Sequence, residues 1–162
     1  MNIRAPHTYL ARAGGDSMIH VGIFDRDILV VERGRNAEKG EVAAYAARAA
    51  EKLRAQQSMC KRVRVSIRTG MFNPDEPKFA KGVVCELPYP TDDTRYITRA
   101  AIAGLERVYR EGFSFSKAEV LLMDLRQRGE YTDDLFVETQ PAASERVMGV
   151  LDAINAKWGA IR

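Results

Sequence analysis

The stretch that decides the fold is Lys61-Arg62-Val63-Arg64-Val65-Ser66-Ile67-Arg68-Thr69. Its strict alternation of polar and apolar residues predicts a half-buried β-strand, because successive side chains of a strand point to opposite faces. One face carries Arg62, Arg64, Ser66 and Arg68. The other carries Val63, Val65, Ile67 and Thr69 and is suited to meet helices. Guanidiniums two residues apart stand about 6.5 to 7 Å from one another. That separation suits successive phosphates of one nucleic-acid strand, and the planar fork of arginine grips a phosphate with two hydrogen bonds. A rail of three arginines with no acid on the same strand face is therefore a candidate polyanion site, and Lys117, further on, can add to it.

The elements on either side give the rest of the order. Upstream, Val42 to Gln57 is alanine-rich with Val42, Ala46, Ala49 and Leu53 at helical spacing. Downstream, Asn73-Pro74-Asp75-Glu76-Pro77 is a loop, and Val83 to Leu87 is a strand expected to stop at Pro88 and Pro90. Asp92 or Asp93 can cap a helix from Thr94 to Arg110 that buries Ile97, Ala101, Leu105 and Val108. Lys117 to Leu125 is apolar enough for a central strand, Gly129 to Pro141 is an acidic loop, and Ser144 can cap a last helix with a stripe of Val147, Leu151, Ile154 and Trp158. A strand ahead of the first helix would complete β-α-β-β-α-β, the split βαβ sheet with two helices on one face. Ile28-Leu29-Val30-Val31 is the candidate for it. The expected class is α+β: an antiparallel sheet, two helices on one face, and an extra C-terminal helix.

Charge is concentrated around the same strand. The net charge of +3 over 162 residues hides a block, residues 42 to 72, with seven basic side chains and one acidic. Residues 1 to 41 are neutral and residues 73 to 162 hold twelve basic and fifteen acidic side chains. Such a block suggests a surface facing a polyanion, the alternative being a solvated face that binds nothing. No apolar run reaches the length of a membrane span, about 20 residues. Met1-Asn2-Ile3-Arg4-Ala5-Pro6-His7 lacks the apolar segment of a signal peptide, and there are only two cysteines, so a cytoplasmic, reducing location is expected. Cys60, Cys85, His7 and His20 lack metal-ligand spacing. No metal and no cofactor are expected.

The series Ala43-Ala44-Tyr45-Ala46-Ala47-Arg48-Ala49-Ala50-Glu51-Lys52-Leu53-Arg54, then Asn73-Pro74 to Pro77, then Phe115-Ser116-Lys117-Ala118-Glu119-Val120, resembles the C-terminal part of the UmuC-type subunits of error-prone Y-family DNA polymerase V. The resemblance runs from about Val42 to the end. It implies a little finger, a β-α-β-β-α-β domain whose open sheet face grips the DNA backbone. In that family the first strand lies mid-sheet, so Ile28 to Val31 is expected to fill the place between the strand at Val83 to Leu87 and the one at Lys117 to Leu125, the alternative being that residues 1 to 41 form a separate, poorly ordered appendage. Leu135 and Phe136, in Thr132-Asp133-Asp134-Leu135-Phe136, stand where that family carries a sliding-clamp-binding peptide, although Thr132 and Asp133 depart from its leading Gln-Leu.

The segment Thr8-Tyr9-Leu10-Ala11-Arg12-Ala13-Gly14-Gly15-Asp16-Ser17-Met18-Ile19, followed by Gly22 to Val31, resembles instead the UmuD and LexA-type self-cleaving peptidases. There Ser17 would be the nucleophile, which needs a basic partner within hydrogen-bond reach. The likeness stops near Gly40-Glu41, before the lysine that would activate it, so the dyad is incomplete. No polymerase palm is expected in these residues either, and Asp92-Asp93 and Asp133-Asp134 read as a helix cap and a loop rather than a two-metal site. The expected organisation is a UmuD-like fragment over 1–41, a little-finger-like DNA-binding domain over 42–128, and a clamp-binding loop with a C-terminal helix over 129–162. The expected function is non-catalytic DNA binding related to translesion synthesis and the SOS response. DNA is the expected partner, with a sliding clamp and polymerase V subunits as further ones, and no membrane. The alternatives are a LexA/UmuD-type serine peptidase fragment or an inactive remnant.

Overall fold

The computed structural model of the chain describes residues 8–16, 19–21, 23, 25–34, 38–129 and 138–159. In chain order the elements are β1 (Thr8–Arg12), a 3-10 turn (Ile19–Val21), β2 (Ile28–Gly34), α1 (Lys39–Ala55), β3 (Ser58–Thr69), β4 (Ala80–Thr91), α2 (Thr94–Val108), β5 (Phe115–Gln127) and α3 (Ala142–Trp158). The sheet order is β1-β2-β5-β3-β4, and every neighbouring pair is antiparallel. Two split βαβ units interleave: β2-α1-β3 straddles β5, and β4-α2-β5 straddles β3. The expected α+β class is observed, with β1 added as a hairpin partner of β2.

Val30, Val63, Val65, Ile67, Val120 and Leu122 form one buried floor. α1 lies over β2 and β5, and α2 over β4 and β3. The alanines of α1 serve this packing: Ala46, Ala49 and Ala50 are fully buried beside Val42 and Leu53, so the helix backbone comes close to the sheet. Gly104 does the same for α2. A Cβ there would stand 3.2 Å from both the Cys85 Sγ and a Val65 methyl, so the helix accepts glycine's propensity cost in exchange for close approach. Asp93, rather than Asp92, caps α2 by accepting the Arg95 backbone N–H at 2.9 Å. Arg95 also returns its guanidinium to this buried carboxylate. Burial pushes the Asp93 pKa up, but these hydrogen bonds outweigh it and hold the carboxyl below its ordinary range.

Three expectations need correction. Ile28 to Val31 joins the sheet, but not between the strands at Val83 to Leu87 and Lys117 to Leu125. β3 fills that position, pairing with β4 on one side and β5 on the other, and β2 takes the outer edge of β5 with Val30 opposite Leu122. The strand containing Val83 to Leu87 does not stop at the prolines. β4 runs to Thr91 because it is an edge strand, where Pro88 and Pro90 remove no shared ladder bond. The register slips there, from Arg62 opposite Glu86 to Cys60 opposite Thr91. Lys61 satisfies the bulged carbonyls by donating to Leu87 O (2.6 Å) and Pro88 O (3.0 Å).

The third correction concerns α3. Its cap position is Pro141, and Ser144 is buried one turn in. Its apolar stripe faces outward: Val147 and Ile154 are about half exposed and Trp158 is 76% exposed. The helix is held through its other side. Arg54, with a side chain only 7% exposed, donates from Nε and Nη2 to both oxygens of Asp152 (2.7 and 2.6 Å) and from Nη1 to Asp92 O and Thr94 Oγ1. Arg128 bridges the buried Asp92 carboxylate to Glu145 of α3. Gln140 also hydrogen-bonds Asp92 (2.9 Å).

Placing a carboxylate at Val30, which is wholly buried under α1, leaves a charge without a partner. Such burial costs several kcal/mol, comparable with a domain's whole stability of about 5–15 kcal/mol. Val30→Asp is expected to abolish the cooperative thermal transition, and amides of Leu29 and Val30 in the unmodified chain are expected to exchange as slowly as those of Val120 to Leu122. Arg54→Ala removes charge-assisted bonds worth roughly 2 kcal/mol. Hydrogen exchange should then speed up throughout α3 while β3 and β5 remain protected.

Candidate nucleic-acid interface

The sheet face away from α1 and α2 is divided in two. Across β2 and β5 it is apolar: Leu29, Val31, Leu121 and Met123 are buried beneath Ile23, with Ala11 and Ala13 alongside. The N-terminal segment thus covers that half, anchored by backbone bonds between Ala13 and Asp27 (2.8 Å) and between Arg26 and Ala13 (2.9 Å). Val84 of β4 extends this apolar patch, and beyond it, along β3 and the Lys117–Glu119 part of β5, the face is open and polar.

Arg62, Arg64, Ser66 and Arg68 all point from β3 to this open side, since the residues that alternate with them along the strand, Val63, Val65 and Ile67, are buried under the helices. Lys117 of β5 sits directly opposite Arg68. Arg64, Ser66, Arg68, Lys81, Gly82 and Lys117 line a shallow cleft of about 380 Å³. Gly82 was not singled out from sequence, yet it shapes the cleft. A Cβ on it would stand 2.9 Å from an Arg64 terminal nitrogen and 3.1 Å from the Ser66 Cβ. Glycine therefore lets the Arg64 side chain lie across β4. A glycine inside a strand is itself a signal of close approach.

The neighbouring strands also bring acids that the single-strand reading left out. Glu86 of β4 stands opposite Arg62, and Glu119 of β5 opposite Ser66. Glu119 thus lies within the cleft, between Arg64 and Arg68, where the cations still outnumber it, while Glu86 stands beside Arg62 and pairs with Lys61 (3.6 Å). The basic block of residues 42 to 72 is likewise not one surface. Arg54 is committed to Asp152 and Lys61 to the β4 bulge, and Arg48 lies over the Tyr45 ring (5.2 Å).

Ser17, Leu135 and Phe136 lie outside the described residues, as do Asp133 and Asp134. Lys39, the lysine nearest the end of the N-terminal segment, opens α1 and pairs with Glu106 of α2 at 2.6 Å. Among the described residues no group of three or more His, Cys, Asp or Glu side chains is arranged to hold a metal ion. Asp92 is fully buried and bonded to Arg128 and Gln140. Burial pushes the Cys60 thiol pKa up, with the negative charge of Asp92 adding to it, so the thiol stays protonated. No helix among the described residues is long and apolar enough to cross a membrane.

Residues 24–135 match the impB/mucB/samB family C-terminal domain. The chain belongs to this family. The match takes in β2, so the strand at Ile28–Gly34 is part of the family domain, upstream of the Val42 where the likeness first shows in the sequence. Protein ImpB of Salmonella typhimurium is 41% identical over 122 residues, covering 75% of this chain and 29% of that protein. Protein UmuC of the same species is 39% identical over 119 residues, covering 73% and 28%. Protein MucB of Escherichia coli is 40% identical over 117 residues, covering 72% and 27%. The chain spans less than a third of the length of these relatives. A separate likeness, 53% identity over 34 residues, links 21% of the chain to 17% of the LexA repressor of Caldicellulosiruptor saccharolyticus.

Proposed function

We propose that this chain is a non-catalytic DNA-binding module of the translesion polymerase V type, acting in SOS mutagenesis in the cytoplasm. It holds the DNA backbone on the open face of β3. The observation that carries this reading is the cleft of Arg64, Arg68 and Lys117 around Gly82. Four cations, these three and Lys81, line it with a single acid, Glu119, on a face that no helix among the described residues covers, while the opposite side of the same strand is fully buried. The family membership agrees with it, since the polymerase V resemblance implies a sheet face laid against DNA. Phosphate contacts of this kind give affinity without sequence preference and make binding salt-dependent. Ser66 adds a hydroxyl donor. Arg62, facing Glu86, contributes less than the others.

Changing Arg64, Arg68 and Lys117 together to Ala should weaken binding to DNA of any sequence alike and flatten the slope of log K against log salt by roughly 2 to 3 units. Fluorescence anisotropy across a salt series measures this, with Arg62→Ala expected to change the slope by less than one unit. A slope unchanged in the triple variant contradicts the rail.

Leu135 and Phe136 are the proposed contact to a sliding clamp, as apolar plugs for a pocket on that partner. Replacing both with Ala should abolish capture by an immobilised clamp and leave the melting temperature within about 2 °C. A fall of many degrees would show instead that the pair belongs to the core.

A further inference from the structure

The connection from β3 to β4 holds the most exposed large apolar side chain described. Phe72 is 100% exposed, and its neighbour Met71 is half exposed. The loop around it is tied down rather than loose. The Thr69 backbone N–H donates to Phe79 O (2.9 Å), and the Phe79 N–H donates to the Thr69 hydroxyl (2.9 Å). Lys78 donates to Gly70 O (3.0 Å) and to Asn73 O, and the Asn73 side chain accepts the Asp75 N–H (3.1 Å). Pro74 and Pro77 further restrict the chain. An aromatic cluster sits at the base of this loop, with Phe79 against Phe113 (4.7 Å between centroids) and Phe115 (5.8 Å). Phe79 joins that cluster and Phe72 does not. A braced loop thus presents a ring with both faces in water.

Its position relative to the cation cleft is constrained. Phe72 lies four residues beyond Arg68, at most about 14 Å along the chain. A nucleic-acid strand held by Arg64 and Arg68 would reach the ring within a few nucleotides. The loop tip itself repels phosphate, because Asp75 and Glu76 outnumber Lys78 there. The ring of Phe72 is thus better suited to a base than to the backbone. A base offers a free face only when it is unpaired, and stacking of an unpaired base on an aromatic ring is favourable whatever the sequence.

We propose that Phe72 is a stacking platform for an unpaired nucleobase at the end of the β3 cleft, giving the module a preference for single-stranded or junction DNA. This rests on the DNA reading above. The test uses the full chain with a single-stranded oligonucleotide carrying 2-aminopurine and with a fully paired duplex of the same sequence. The unmodified protein should quench 2-aminopurine on binding the single strand. Phe72→Ala and Phe72→Leu should each weaken single-strand binding about tenfold and lose the quenching, with the salt slope unchanged. Phe72→Trp should retain both, and duplex affinity should be the same in all variants. Since the Phe72 side chain is fully exposed, circular dichroism should show every variant folded. Full affinity and quenching in Phe72→Ala would overturn the platform. So would full affinity in Phe72→Leu, which would mean a general apolar contact, or an equal loss on duplex, which would mean a wedge between paired bases. Failure of the unmodified protein to bind either DNA would overturn the DNA reading and this inference with it. Binding with a normal salt slope but no dependence on Phe72 would overturn this inference alone.

Discussion

The structure depends on one strand meeting two demands at once. β3 is paired on both sides over most of its length, so its backbone is largely used by β4 and β5. Its side chains must therefore sort strictly between a dry face under two helices and a wet face. A shift of one residue would put three arginines into the core and three aliphatic residues into water. The same alternation that fixes the register thus presents Arg64 and Arg68 at a fixed spacing on a rigid support, and any ligand is bound by groups already in place.

This strand was legible in the sequence because its period is local. The helices were legible for the same reason: alanine spacing marks α1, and Asp93 ahead of a periodic run marks α2. What was not legible was non-local. Which edge of β5 receives Ile28 to Val31 depends on β3 having claimed the other, and nothing within either segment records that. Pro88 and Pro90 break a strand in local terms, yet at an edge, with Lys61 serving the bulged carbonyls, the strand continues. The stripe on α3 has core-like spacing, but the ion pair of Arg54 with Asp152, nearly a hundred residues apart, turns it outward.

The candidate site shows the same division. The rail itself is a property of one strand and could be read from it. Its modulation is a property of three. Glu86 arrives from β4 to weaken the Arg62 end, Glu119 arrives from β5 between Arg64 and Arg68, Lys117 arrives to strengthen the Arg68 end, and Gly82 leaves room for Arg64 to reach across. The N-terminal segment adds a further limit by covering the apolar half of the open face with Ile23. The exposed polar surface is consequently narrower than the sheet, and its centre lies toward the β3–β4 hairpin. That places the cations and the exposed ring of Phe72 on the same part of the molecule.

The central claim is that the open face of β3 is where DNA lies. NMR of arginine side-chain Nε–H groups during a DNA titration addresses it directly, because each arginine reports separately. The signals of Arg64 and Arg68 should move together and saturate together, while Arg54, enclosed by Asp152 and Thr94, stays in place. Movement confined to arginines on α2 and α3, such as Arg99 and Arg146, with Arg64 and Arg68 unmoved, would contradict it.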